Sequence, residues 1–228
     1  MLGLTIHSSR RRFAARLNSG VMPQDDLLPP TDIPDLSGLK AQTEWMALVR
    51  GLAGGGSSDY ISYTLQFNCV RLFDAAVLYY SLGRNCILQF HSRNTSQFGI
   101  GLVTEAASHF ETCIWYLERF IKHARAIRSQ PGAERELKLL IDPKLAILEQ
   151  SAESRITQLR HTIAHLERDA IKGKLPRGAN IALVPIKDGL SVAHHLIEWY
   201  ELAHWISDAH DCIQYLARFK PQVPKLGA

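Results

Sequence analysis

Apolar residues recur at spacings of three and four along most of this chain, the period of helices that bury one face. The clearest run is Val103, Ala107, Phe110, Ile114, Leu117, Ile121 and Ala124, flanked by Trp115 and Tyr116 and ended by Pro131-Gly132. Another is Leu145, Leu148, Ala152, Ile156, Leu159, Ile163, Leu166 and Ala170, which follows Asp142-Pro143. Asp there is a good cap, and Pro suits a first helical position. Trp199, Leu202, Ile206, Ala209, Ile213 and Leu216, widened by Trp205 and Cys212, predict a last helix that starts within His194 to Glu198 and reaches Phe219.

Two further helices are expected earlier. Asp35 or Ser37 can cap one through Trp45, Met46, Leu48 and Val49, which Gly51 and then Gly54-Gly55-Gly56-Ser57-Ser58 end. Asp59 can cap the next, which presents Ile61, Leu65, Leu72, Ala76, Tyr79 and Leu82 and is expected to stop at Gly83. Arg84 to Phe98 fits either a short helix or a loop. The one strand-like stretch is Ile181 to Ile186, with Lys187-Asp188-Gly189 as a turn and Leu190 to Val192 returning. Pro185 lacks an N–H and confines that strand to an edge. The expected architecture is therefore all-α: a bundle of about five main helices with a small β-hairpin before the last, the hairpin projecting as a flap beside the motif helix.

Composition narrows the picture. With 228 residues and 46% hydrophobic content the chain can bury a full core, and a net charge of +4 permits nucleic-acid binding without requiring it. No apolar run approaches the ~20 residues of a membrane span. Cys69, Cys86, Cys113 and Cys212 lie far apart in apolar helical patterns without a C-x-x-C pair, and read as reduced core residues of a cytoplasmic protein. Residues 1–34 form a basic extension ending in prolines, with Arg10, Arg11, Arg12 and Arg16 and no acidic residue before Asp25. A tail or short docking helix is the plainest reading; a transit peptide or an RNA-contacting arm is the alternative. Residues 35–220 read as the helical domain and 221–228 as a C-terminal tail. Gly54-Gly55-Gly56-Ser57-Ser58 is a linker, because no strand precedes it and no Gly-Lys-Ser/Thr follows, as a phosphate-binding loop requires.

The candidate chemistry lies on the motif helix. His161 and His165, four residues apart, share a face nearly opposite the buried stripe, with Arg160 on the flank and the small Ser154, Thr157 and Ala164 alongside. Small side chains would let a second helix approach while the imidazoles and guanidinium reach into a shared crevice. A guanidinium fork matches phosphate oxygens, and an imidazole exchanges protons near neutral pH. Those are the requirements for cleaving RNA through its 2′-hydroxyl without a metal. A zinc pair is the weaker reading of His161-x-x-x-His165, because the intervening Thr-Ile-Ala lacks the Glu of H-E-x-x-H. A third ligand would have to come from Glu153, Asp169 or His194, and no metal or cofactor is expected.

Arg160-His161-Thr-Ile-Ala-His165, an Arg with a polar residue after it and His five positions on, resembles the R-x4-6-H signature of the HEPN superfamily of helical proteins, many of them RNases. Arg84-Asn85 and Arg93-Asn94 begin alike but carry Gln89 and Phe98 where the second His belongs. The resemblance covers Val103 to Phe219, and the Ala164-His165 ending is similar to abortive-infection and toxin–antitoxin branches. It departs from the usual pattern in having two additional N-terminal helices, a motif on the penultimate helix and His rather than Asn after the Arg.

The resemblance implies a metal-independent endoribonuclease, a toxin or phage-defence factor acting as a homodimer with motif helices at the interface. Its partners would be an RNA substrate and a possible antitoxin. Its catalytic residues would be Arg160, His161 and His165, and the alternative is a non-catalytic module binding a nucleotide or a partner protein. His194, His195, His204 and His210 are lesser candidates for the site.

Overall fold

The computed structural model describes residues 29–39, 41, 45, 60–92, 99–129, 146–175, 180–193 and 195–218. Four α-helices are described: α1 (Tyr60–Ser92), α2 (Gly99–Ser129), α3 (Gln150–Ile171) and α4 (Trp199–Arg218). An antiparallel sheet of β1 (Asn180–Ile186), β2 (Gly189–Ala193) and β3 (His195–Glu198), in that spatial order, lies between α3 and α4 in sequence. The fold is thus mostly helical, as the periodicity predicts. Of the helix expected after Ser37, Trp45 is described: its N–H bonds the carbonyl of Ala41, while Met46 to Ser58 fall outside the described residues. So do the caps expected at Asp59 and at Asp142-Pro143, and the basic residues Arg10 to Arg16.

The long α1–α2 hairpin is the frame. Phe73, Ala76, Tyr80 and Ile87 of α1 and Phe110, Ile114, Leu117, Phe120 and Ile121 of α2 are buried in one core, and Tyr79 stacks on Tyr116 with ring centroids 5.6 Å apart. Contrary to expectation, Gly83 does not end α1, which continues to Ser92. A Cβ at Gly83 would lie 2.9 Å from the Phe110 ring. The glycine is there to let that ring against the helix backbone, and its propensity cost of about 1 kcal/mol is offset by the packing. Continuing α1 brings Arg84 and His91 to the segment before it. Arg84 donates to the Ile33 carbonyl at 2.9 Å, Tyr80 to that of Pro34 at 3.0 Å, and His91 Nε2 lies 2.7 Å from that of Pro29. Asp74 anchors the same strap by accepting from the Ala41 N–H and the Trp45 indole.

α3 begins at Gln150, after a 3₁₀ turn at Ala146–Leu148, rather than near Pro143. The turn is pinned by Asp208 of α4, whose carboxylate accepts the Ile147 N–H at 3.2 Å, so Leu148 joins the core from outside the helix. Ala152, Ile156, Leu159 and Leu166 form the buried stripe, and Ala170 is exposed. Arg155 ties the other side of α3 down by pairing with Glu201 and donating to the Leu196 carbonyl at 2.8 Å.

The expected two-stranded flap is a three-stranded sheet, and it does not project. Leu183, Leu190, Val192 and Ile197 enter the main core, while Ile186 and Leu196 form a small cluster with Val184. His195 to Glu198, expected to begin the last helix, is strand because Leu196 and Ile197 serve opposite faces of the sheet, which only a period of two allows. α4 starts where that strand ends, latched by the Trp199 indole donating to the Ile186 carbonyl at 3.1 Å. Pro185 does lie on an edge strand. Gly189 opens β2 against β3, where a Cβ would fall 1.9 Å from the Ile197 carbonyl oxygen. Gly189→Ala must therefore spread the β2–β3 pair; it is expected to cost about 2–3 kcal/mol in urea denaturation, and a variant as stable as the parent contradicts this register.

Candidate active site on the third helix

α3 presents its motif as the period of the helix requires. Ser154, His161 and Ala164 are exposed, and Thr157 and His165 are partly so. The two imidazoles meet edge to face, with ring centroids 4.3 Å apart. The i, i+4 geometry of a helix brings such rings together without strain. Arg168 and Asp169 follow on the next turn, Arg168 Nε 3.6 Å from an oxygen of Asp169.

Arg160 turns from the flank toward α2, where its Nε lies 3.1 Å from Oε2 of Glu118. That carboxylate is 1% exposed, and its other oxygen accepts from Lys122 Nζ at 2.8 Å. The Arg160 contact is ionic, lying off the hydrogen-bond axis, since Oε2 accepts no hydrogen bond among the described residues. A buried carboxylate is stable only when paired. Two cations hold this one, so the cluster keeps net positive charge beside the histidines. Both cations also reach solvent, Arg160 with 39% and Lys122 with 49% of its side chain exposed, and an incoming anion can reach them.

Sequence reasoning missed Glu118. The signal was present: a carboxylate four residues after Ile114 and next to Leu117 sits in an apolar stripe, and such a charge needs a partner. Lys122, one turn further along α2, is one such partner. Nearby, Arg125 pairs with Glu153 and donates to the Leu148 carbonyl at 2.8 Å, a second strut that fixes α3 along α2.

Partial burial holds the His165 pKa below the ordinary histidine value, helped by the positive charge of Arg168, then by His161 and Arg160, with Asp169 opposing. His165 is therefore chiefly neutral at pH 7 and can accept a proton. His204 lies 3.7 Å from Asp208 on α4, the His210 ring lies against Phe73, His195 is on β3, and His194 falls outside the described residues. No third ligand completes a metal set with His161 and His165 among the described residues. The four cysteines are free and buried, and burial pushes the Cys69, Cys113 and Cys212 thiols up.

No protein family, no curated protein and no solved structure matches this chain. No described helix is long and apolar enough to cross a membrane.

The charge pattern around His165 makes a direct prediction. In an NMR titration its imidazole should titrate below the ordinary histidine value of 6.5. Arg168→Gln should move it upward, because removing a nearby cation favours the imidazolium. A value at or above the ordinary one in the parent protein contradicts the described surroundings.

Proposed function

We propose that this chain is a metal-independent endoribonuclease of HEPN type, a toxin or phage-defence factor of the cytoplasm that acts as a homodimer. The observation that carries the reading is Arg160 set against the buried Glu118 carboxylate, on the same helix as the paired His161 and His165. Pre-placed positive charge next to a neutral imidazole is the equipment that 2′-hydroxyl attack on phosphorus needs.

His165 takes the proton of the ribose 2′-hydroxyl, and the oxygen attacks the adjacent phosphorus while Arg160 and Lys122 hold the phosphate oxygens. The 5′-oxygen leaves with a proton from a histidine in its cationic form, supplied by His161 or by the facing copy of the motif. The products are a 2′,3′-cyclic phosphate and a 5′-hydroxyl. Exposed Ser154 and Ala164 offer the narrow surface on which a second α3 can pack. A neighbouring antitoxin would restrain the activity by covering this face.

One observation favours a second reading. Arg160 is already engaged by Glu118, and a guanidinium so held also suits a non-catalytic module that binds a nucleotide or a partner protein. Cleavage separates the two. Purified protein in EDTA should cut RNA to cyclic-phosphate ends, and His165→Ala should lower the rate at least about 100-fold with fold and dimer unchanged. Full cleavage by His165→Ala defeats the assignment, and an inert parent protein that binds a nucleotide establishes the second reading.

A further inference from the structure

On the far side of α2 from Glu118, at the end of the helical hairpin, three chemically different side chains converge. Cys86 projects from α1, and Glu105 and His109 lie one turn apart on α2. One ligand atom from each, the Cys86 sulfur, a Glu105 oxygen and a His109 ring nitrogen, lies within 4.8 Å of the other two. His109 Nε2 is 3.7 Å from Oε1 of Glu105. Among the described residues this is the one grouping of three metal-ligating side chains. The sequence gives no hint of it, because Cys86 lies on a different helix and reads as a core thiol.

The geometry points to a zinc site formed by Cys86, Glu105 and His109. Bonds of about 2.0–2.3 Å in a tetrahedron place ligand atoms roughly 3.3–3.6 Å apart. The His109–Glu105 edge is already within a few tenths of an ångström of that. The edges to the Cys86 sulfur, at most 4.8 Å long, must shorten by up to about 1.3 Å, through side-chain rotation of His109 and of Glu105, which is 59% exposed.

The donor set selects the metal. Thiolate disfavours magnesium and calcium, carboxylate disfavours copper(I), and imidazole suits zinc; Zn²⁺ accepts all three. Three protein ligands leave a fourth position for a water. On binding, the Cys86 S–H bond is replaced by a bond from sulfur to zinc, and the proton passes to solvent. The ion would clamp α1 to α2 beyond their apolar contact, where Tyr79 already lies against the His109 ring with centroids 5.9 Å apart. It would lie about 13 Å or more along α2 from Glu118, at roughly 1.5 Å per residue. It therefore does not depend on the nuclease reading, and the proposed cleavage does not depend on it.

The test uses the full chain, reduced with a phosphine, stripped with chelator and freed of it, then titrated with Co²⁺ and separately with Zn²⁺. One Co²⁺ per chain should produce a thiolate-to-cobalt charge-transfer band with visible bands of tetrahedral strength, and Zn²⁺ should displace both. Zn²⁺ at a hundredfold excess over its Kd should raise the Tm by about 5–10 °C. Cys86→Ser should abolish the charge-transfer band. Glu105→Gln and His109→Ala, at partly exposed positions and so safe for the fold, should each weaken Co²⁺ binding by more than about 10-fold. Absence of the band in the parent protein, or unchanged Co²⁺ affinity in both of these variants, overturns the site.

Discussion

The buried carboxylate of Glu118 is the constraint on which the arrangement of α2 and α3 depends. Left unpaired at that depth it would cost several kcal/mol. Arg160 from α3 and Lys122 from its own helix compensate it. Because one of these cations comes from the neighbouring helix, the charge pair also sets how far α3 can slide or roll along α2. The Arg125–Glu153 pair repeats the restraint closer to the start of α3. The histidine face is consequently carried outward on a helix fixed at two points, while Leu159 and Leu166 seal the opposite face.

α2 serves two neighbours with two chemistries. Toward α3 it offers a carboxylate that orients a cation, and toward α1 it offers Glu105 and His109 beside the Cys86 sulfur. The first collects positive charge next to proton-transfer groups. The second collects donor atoms suited to a metal. Keeping them apart along one helix lets a zinc ion tighten the hairpin without altering the field at His165, whose depressed pKa arises from partial burial and from Arg168, His161 and Arg160.

The helices were legible because burial of one face imposes its period on the sequence. The stripe of α4, and that of α2 from Phe110 to Ala124, could be read residue by residue, whereas Val103 and Ala107 are only partly buried; the exposed position of His161 followed from the same period. What escaped was decided between elements. Gly83 looked like a helix stop, but its role is to admit the Phe110 ring, which comes from a different helix. His195 to Glu198 reads in the sequence as part of the last helix because four residues are too few to separate a period of two from one of 3.6. Glu118 stands visibly in the apolar stripe of α2, but that Arg160 is one of its partners is decided only when α2 and α3 pack, since Arg160 lies far along the chain. Likewise, Cys86 becomes a candidate ligand only once α1 and α2 lie side by side.

The central claim is that Glu118 places Arg160 for phosphate, and the most direct measurement of it is RNA cleavage in EDTA by Glu118→Gln. That change keeps the shape of the side chain and removes its charge. The account predicts a folded dimer with kcat lowered about 10- to 100-fold as the guanidinium loses its fixed position. A variant that folds and cuts RNA at the parent rate would contradict it.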